Sequence, residues 1–264
     1  MAVDAATAPP SFVRMVAHPV RWRLVTELAG SDLRVRELVT RIAEPQNLVS
    51  YHLRLLRSAG LVTASRSSHD GRDSYYHLDL DQCARALAGT GAAMHPALRM
   101  HPVTRMDPPM RPRPGSTKVA VLFACTGNSA RSPIAEALLR HYTAGRMDVV
   151  SAGSRPKPRI HPHAVRVLRE EFGVDISGRH PRHLDTVTGR RFDHVVTLCD
   201  KVREVCPEFE ARPRLAHWSV PDPAAGGDID QVSYAAFQRT AADIDARIRH
   251  LLPVLTPTPQ EAQP

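Results

Sequence analysis

No apolar run in this 264-residue chain is long enough to cross a bilayer. Its opening, MAVDAATAPPSFVRM, lacks the basic-then-apolar layout of a secretory leader. Together these absences predict a cytoplasmic protein with no membrane partner, in a compartment where thiols stay reduced. Cysteine is scarce. Cys83, Cys125, Cys199 and Cys206 are the only four, and in a reducing compartment such residues read as chemical rather than structural. Acidic residues are missing between Glu44 and Asp70, a window that holds Arg54, Arg57 and Arg66. That gap leaves a locally positive face of the kind phosphate contact requires. The overall charge of +8 is less informative, because the first ninety residues carry eleven Arg against nine acids.

What is present centres on residues 119–140, VAVLFACTGNSARSPIAEALLR. Val119 to Ala124 is an apolar run of buried-strand length. Cys125 to Arg131 is a turn that opens on cysteine and closes on arginine, and Ser132 and Pro133 are helix-start residues. A strand running through a tight loop into a helix N-terminus is an anion site, because loop amides and the helix dipole both face the bound charge. The amides of Thr126, Gly127, Asn128, Ser129, Ala130 and Arg131 are the predicted oxyanion cradle. Gly127 and Asn128 tolerate the left-handed backbone that such a loop needs. Arg131 would hold two oxygens at once, which lysine cannot do. Ser132 would donate to the sulfur. The same positive surroundings predict a Cys125 thiolate at neutral pH, acting as a nucleophile.

Upstream, residues 11–90 read as helices followed by a hairpin. Helical spacing marks one helix from Pro19 to Gly30, a second through Val35, Leu38, Val39 and Ile42, and a third through Leu48 to Leu56. Pro45, Gln46 and Asn47 are expected to form the tight turn between the last two, giving a helix-turn-helix. Leu61 to Ser65 and Ser74 to Leu80 read as the two strands of a wing. The stretch PQNLVSYHLRLLRSAGLV with its basic hairpin resembles the ArsR family of winged-helix repressors. That resemblance implies a dimer, formed through this domain, on two operator half-sites. It places Gln46, Asn47, Ser50, Tyr51, His52 and Arg54 toward DNA, with Arg66 and Arg72 as wing contacts. For His52 a helix-packing role stands as the alternative. Arsenite sensors of the family often carry a Cys-x-Cys pair on the helix before the turn. Here that helix reads VRELVTRI. Cys83 is the domain's only thiol; it reads as a packing residue, with arsenite ligation as the alternative, because soft arsenic prefers several thiolates.

Residues 91–117 contain six prolines and read as an extended, basic linker. From residue 118 strands and helices alternate: Asp148–Ala152, His161–Phe172, Phe192–Leu198, Arg214–Trp218 and Tyr234–Leu252. This order predicts a parallel sheet with ligands at the carboxyl ends of its strands. The expected plan is therefore two domains. The first is an α+β winged helix-turn-helix over residues 11–90. The second is an α/β unit over 118–252 carrying the Cys-x5-Arg loop, and residues 253–264 would be a disordered tail.

Cys-x5-Arg-Ser followed by a helix resembles the low-molecular-weight protein tyrosine phosphatase fold, and Asp222-Pro223 matches that family's general acid. Phosphatases follow this pair with an aromatic; here Ala224 follows. VVTLCDKVREVCP looks instead like the thioredoxin-coupled arsenate reductases of the same scaffold, which carry two further cysteines after the third strand. The resemblance implies a relay through Cys125, Cys199 and Cys206, with Asp222 as proton donor, thioredoxin as external reductant and no tightly bound cofactor. It makes the chain a bifunctional arsenic-resistance protein, a transcriptional regulator fused to an arsenate reductase with weak phosphatase activity. Two alternatives stay open: a tyrosine phosphatase on a DNA-binding module, or a regulator whose second domain only senses an oxyanion.

Overall fold

The computed structural model describes residues 8–67, 73–95, 98, 118–209, 212–225 and 233–255, which form two compact units. The first unit is built on helices α1 (Ser11–Val16), α2 (Pro19–Gly30), α3 (Val35–Ile42) and α4 (Gln46–Ser58). Pro19 starts α2 with its φ already suited to a helix, and the His18 ring accepts from the Val20 amide at 3.2 Å. The Glu37 carboxylate accepts from the Arg34 amide at 2.8 Å and so closes the start of α3. Leu24, Leu28, Leu38, Ile42, Val49, Leu53 and Leu56 recur at helical spacing and pack as one buried cluster.

The turn between α3 and α4 differs from the sequence expectation. Gln46 and Asn47 are already helical, and Pro45 caps α4 in extended conformation. Ala43, at φ +51°, makes the turn by stepping into left-handed backbone, so the connection spans only Ala43 to Pro45. Strands β2 (Val62–Arg66) and β3 (Ser74–Leu78) pair antiparallel, Val62 opposite Leu78 and Arg66 opposite Ser74. A two-residue strand, β1 (Leu33–Arg34), pairs on the other side of β3. The hairpin tip, with Arg72, lies outside the described residues. Helix α5 (Leu80–Met94) enters the stretch expected to be linker. It stops at His95, which is extended at φ −161°, because the proline that follows disfavours helical backbone at the residue before it.

The second unit is a four-stranded parallel sheet of order β5-β4-β6-β7, formed by β4 (Ala120–Cys125), β5 (Asp148–Gly153), β6 (His194–Thr197) and β7 (Arg214–His217). Every residue of β4 is buried, as a strand covered on both faces requires. Helices α6 (Arg131–Tyr142), α7 (Pro162–Phe172), α8 (Asp200–Val205) and α9 (Tyr234–Leu255) complete the unit. Helix α9 passes the expected end at residue 252 and includes Pro253. Leu252 and Leu255 are 9% and 2% exposed, and their burial holds the last turn across a residue that cannot donate. Among the described residues no helix is long and apolar enough to cross a membrane.

Candidate active site

Cys125 is the last residue of β4 and is 2% exposed. The loop after it returns so tightly that the Asn128 amide donates to Cys125 Sγ at 3.3 Å. Asn128 carries the strain of that return at φ +42°, which its side chain offsets by bonding locally. Of the two residues that tolerate left-handed backbone, Asn128 takes it and Gly127 does not. A Cβ at Gly127 would lie 3.3 Å from Lys157 Cγ, a tight contact that the lysine side chain would have to yield to. Gly153 at the end of β5 is needed for space. A Cβ there would meet the Thr126 carbonyl at 2.6 Å and the Asn128 amide at 2.9 Å, closer than real contacts allow.

A buried chain of hydrogen bonds sets the Ser132 hydroxyl. Asn128 Nδ2 donates to Ser132 Oγ and to Ser151 Oγ, both at 2.9 Å. Ser151 passes its own proton to Glu136 Oε2 at 2.7 Å. Ser132 Oγ, already an acceptor from Asn128, has its proton free for Cys125 Sγ at 2.9 Å. Glu136 ends the chain on α6, 2% exposed, held by the Ser151 amide at 3.0 Å, by Arg140 at 3.2 Å and by Arg179. Sequence reasoning missed Ser151, Glu136, Arg179 and Gly153. Glu136 had a legible signal, an acid inside the apolar pattern of α6. The others had none, because only the fold brings them to the loop.

Burial pushes the Cys125 thiol above its ordinary value of 9.0. Arg131 and the Ser132 hydrogen bonds pull the other way, while Cys199 adds to the rise. The net direction is upward, opposite to the lowering expected from sequence. The sequence shows the cationic residue but not how far the fold buries the sulfur.

Arg131 is also buried, its side chain 6% exposed. Nη1 donates to the Val220 carbonyl at 3.1 Å and Nη2 to Asp222 Oδ2 at 3.0 Å. The guanidinium thus ties the Cys125 loop to the segment after β7. Asp222 and Ala224 line the same cavity of ≈ 640 Å³ as Cys125, Thr126, Gly127, Ser129, Ala130 and Arg131. His161 lines it too and was not foreseen. Its ring caps α7 at the His163 amide, 3.2 Å away, and stacks on Phe237 at 4.5 Å. Burial and His163 lower its pKa.

The two later cysteines bracket α8. Cys199 is its N-cap, 2% exposed, with Sγ 3.2 Å from Thr126 Oγ1, so it lies against the nucleophile loop. Cys206 is the C-cap, half-buried, with its thiol pushed up to about 11 by burial. Asp200 anchors the first turn: its Oδ1 meets His217 Nε2 at 3.1 Å and Ser219 Oγ at 2.9 Å, all three buried. Val202 is buried, whereas Val205 is 59% exposed. The helix is therefore held at its Cys199 end.

On the first unit, Gln46, Asn47, Tyr51, Arg54 and Arg66 are exposed and Ser50 is half-buried. Asn47, Ser50, Tyr51 and Arg54 share one face of α4 by helical spacing. His52 is not on that face. It is 4% exposed, its ring 4.3 Å from that of His18, and burial, His18 and Arg21 lower its pKa against Glu44. The packing alternative holds for it, because one step along a helix turns a side chain by about 100°. Cys83 is half-buried beside the core, its thiol pushed up to about 11 by burial and Asp79. Among the described residues no cluster of three His, Cys, Asp or Glu could hold a metal.

A parallel sheet with a Cys-x5-Arg loop at its carboxyl edge, downstream of a helix-turn-helix, defines a helix-turn-helix module followed by a phosphate-loop domain. The chain belongs to the low molecular weight phosphotyrosine protein phosphatase family, whose model matches residues 120–261. The model described as bacterial regulatory protein, arsR family, matches residues 18–64. The arsenate reductase of Halalkalibacterium halodurans is 36% identical over 132 residues, covering 50% of this chain and 94% of that protein. That of Bacillus subtilis strain 168 is 33% identical over 129 residues, covering 49% and 91%. A solved arsenate reductase in the phosphate binding state is 28% identical, covers 52% of this chain and 98% of its own, and superposes with a TM-score of 0.45.

Proposed function

We propose that the chain is a DNA-binding regulator fused to an arsenate reductase that works by a relay of three cysteines. The observation that carries this reading is the position of Cys199, its sulfur 3.2 Å from the Thr126 hydroxyl of the nucleophile loop, with Cys206 at the other end of α8. A hydrolytic phosphatase has no use for either thiol. The pocket also has Ala224 in place of an aromatic wall, which disfavours a phenyl leaving group.

Arsenate sits on the loop amides and the Arg131 guanidinium. Cys125 attacks arsenic as the thiolate, which Arg131, Ser132 and the Asn128 amide favour against burial, and Asp222 protonates the departing oxygen. Cys199 then attacks Cys125 Sγ. The sulfur–arsenic bond breaks, its electron pair stays on arsenic, and arsenite leaves as the Cys125–Cys199 disulfide forms. Cys206 attacks Cys199 and frees Cys125. Seven helical steps place the α-carbons of Cys199 and Cys206 about 10 Å apart, beyond the roughly 7 Å that a disulfide spans. Helix α8 must therefore unwind, and with Asp200 and Val202 anchored it does so from the Cys206 end. An external dithiol, thioredoxin, reduces the final disulfide by exchange; no tightly bound cofactor takes part.

In the first unit, α4 enters the major groove of operator DNA with Gln46, Asn47, Ser50, Tyr51 and Arg54, and Arg66 meets phosphate. The unit forms a homodimer, for which α5, with no buried residue of its own and Leu87 50% exposed, offers a surface. The test is arsenate turnover by the purified chain with thioredoxin, thioredoxin reductase and NADPH. Cys125→Ser should abolish it, since a hydroxyl cannot pass electrons to arsenic. Turnover by that variant would overturn the reading.

A further inference from the structure

The Asn128 amide turns inward to Cys125 Sγ, while carbonyls of the loop face outward, and each needs a donor. Residues 154–161, SRPKPRIH, supply them. The amides of Ser154, Arg155, Lys157 and His161 donate to the carbonyls of Cys125, Thr126, Gly127 and Ser129 at 3.3, 2.8, 2.9 and 2.8 Å. Pro156 and Pro158 fall between, where a missing N–H costs nothing and the rings stiffen the segment. This clamp holds Arg155, Lys157 and Arg159 at alternate positions, and all three line the Cys125 cavity.

Their charges are uncommitted. The three side chains are exposed and make no hydrogen bond or ion pair among the described residues. The neighbouring arginines are already neutralised: Arg131 by Asp222 at 3.0 Å, Arg166 by Glu170 at 2.9 Å, Arg169 by Asp175 at 3.1 Å, and Arg179 by Glu136. The cavity measures ≈ 640 Å³. A water takes about 30 Å³, so a tetrahedral oxyanion on the loop leaves most of that space, and all three cations, unused.

We propose that Arg155, Lys157 and Arg159 form a second anion subsite. The pocket then prefers small molecules that carry a phosphate-like head and, a few bonds away, a further carboxylate or phosphate. The head takes the loop amides and Arg131, and the second group meets the rim. With Ala224 where a ring would grip an aromatic substrate, charge rather than stacking selects the ligand. The proposal rests on the loop binding an oxyanion and not on reduction.

Calorimetric titration of the full chain at low salt compares phosphonoacetate, which has both groups, with methylphosphonate, which has only the head. The wild type should bind phosphonoacetate at least about tenfold more tightly. In the triple variant R155Q/K157Q/R159Q that preference should fall below about threefold, with methylphosphonate affinity little changed. R159Q alone should fall between. Equal binding of the two by the wild type, or a preference that survives in the triple variant, overturns the subsite and leaves the loop reading standing. If the wild type binds neither, the oxyanion reading of the loop fails and the subsite with it.

Discussion

Asp222→Asn should move anion affinity and turnover in opposite directions. Arg131 Nη2 lies 3.0 Å from Asp222 Oδ2, and Nη1 is held separately by the Val220 carbonyl at 3.1 Å. An oxyanion entering the loop must share the guanidinium with Asp222 or displace it. Two unit charges about 4 Å apart interact by about 4 kcal/mol at an effective dielectric constant near 20. That is an upper bound, because the Asp222 side chain is 43% exposed. Screening brings the competition down to about 1 kcal/mol, so neutralising the carboxylate should tighten inorganic phosphate binding by about fivefold. The Val220 contact keeps Arg131 in place in the variant. Turnover should fall, because the departing oxygen loses its proton donor, an effect of about 100-fold or more. Calorimetry with phosphate and the thioredoxin-coupled NADPH assay read the two effects separately. Unchanged or weaker phosphate binding would show that Asp222 does not compete for Arg131. Undiminished kcat would remove it as the acid.

Three further outcomes test other parts of the molecule. Cys206→Ser should release about one arsenite per chain and then stop, because Cys199 alone completes the first disulfide; quenched-flow counting would expose either continued cycling or no release at all. A thiol raised above its ordinary value of 9.0 stays protonated to higher pH, so iodoacetamide labelling of Cys125, followed by peptide mass spectrometry, should still be accelerating at pH 9.0, and a plateau near neutrality would contradict the enclosure argument. Arg54→Ala should weaken binding to the protein's own promoter region and reduce the salt slope by about one while arsenate turnover is untouched; a shift assay across salt that finds neither change would take Arg54 off the interface.

The order of elements around Cys125 was legible because each carries a local signal. A fully apolar run, a loop of small residues closed by arginine and a helix start follow one another in fixed register, and local backbone preference needs no distant contact to express itself. The helix-turn-helix was legible for the same reason, since helical spacing alone separates buried Leu53 and Leu56 from exposed Tyr51 and Arg54. Even so, the sequence left His52 open between the DNA face and the helix packing, because a periodic pattern locates a face only to within a residue; the fold buries it. Its tilted ring contact with His18 spans thirty-four positions of chain. The end of α9 was misjudged for a related reason: Pro253 is a local signal to stop, and the burial of Leu252 and Leu255 is a tertiary reason to continue.

What only the tertiary structure decided are the properties that depend on enclosure and on distant partners. Cys125 is raised because the fold buries it, and sequence cannot show desolvation. Glu136, Ser151 and Asn128 orient the Ser132 proton across twenty-three positions, a direction no local pattern encodes. The same holds for Arg131, which the fold commits to Asp222, and for Arg155, Lys157 and Arg159, which it leaves unpaired. Composition counts all four cations alike. Chain sequence sets which groups exist and what their own backbone prefers; the free energy of a buried charge or hydrogen bond depends on which groups the fold brings to it.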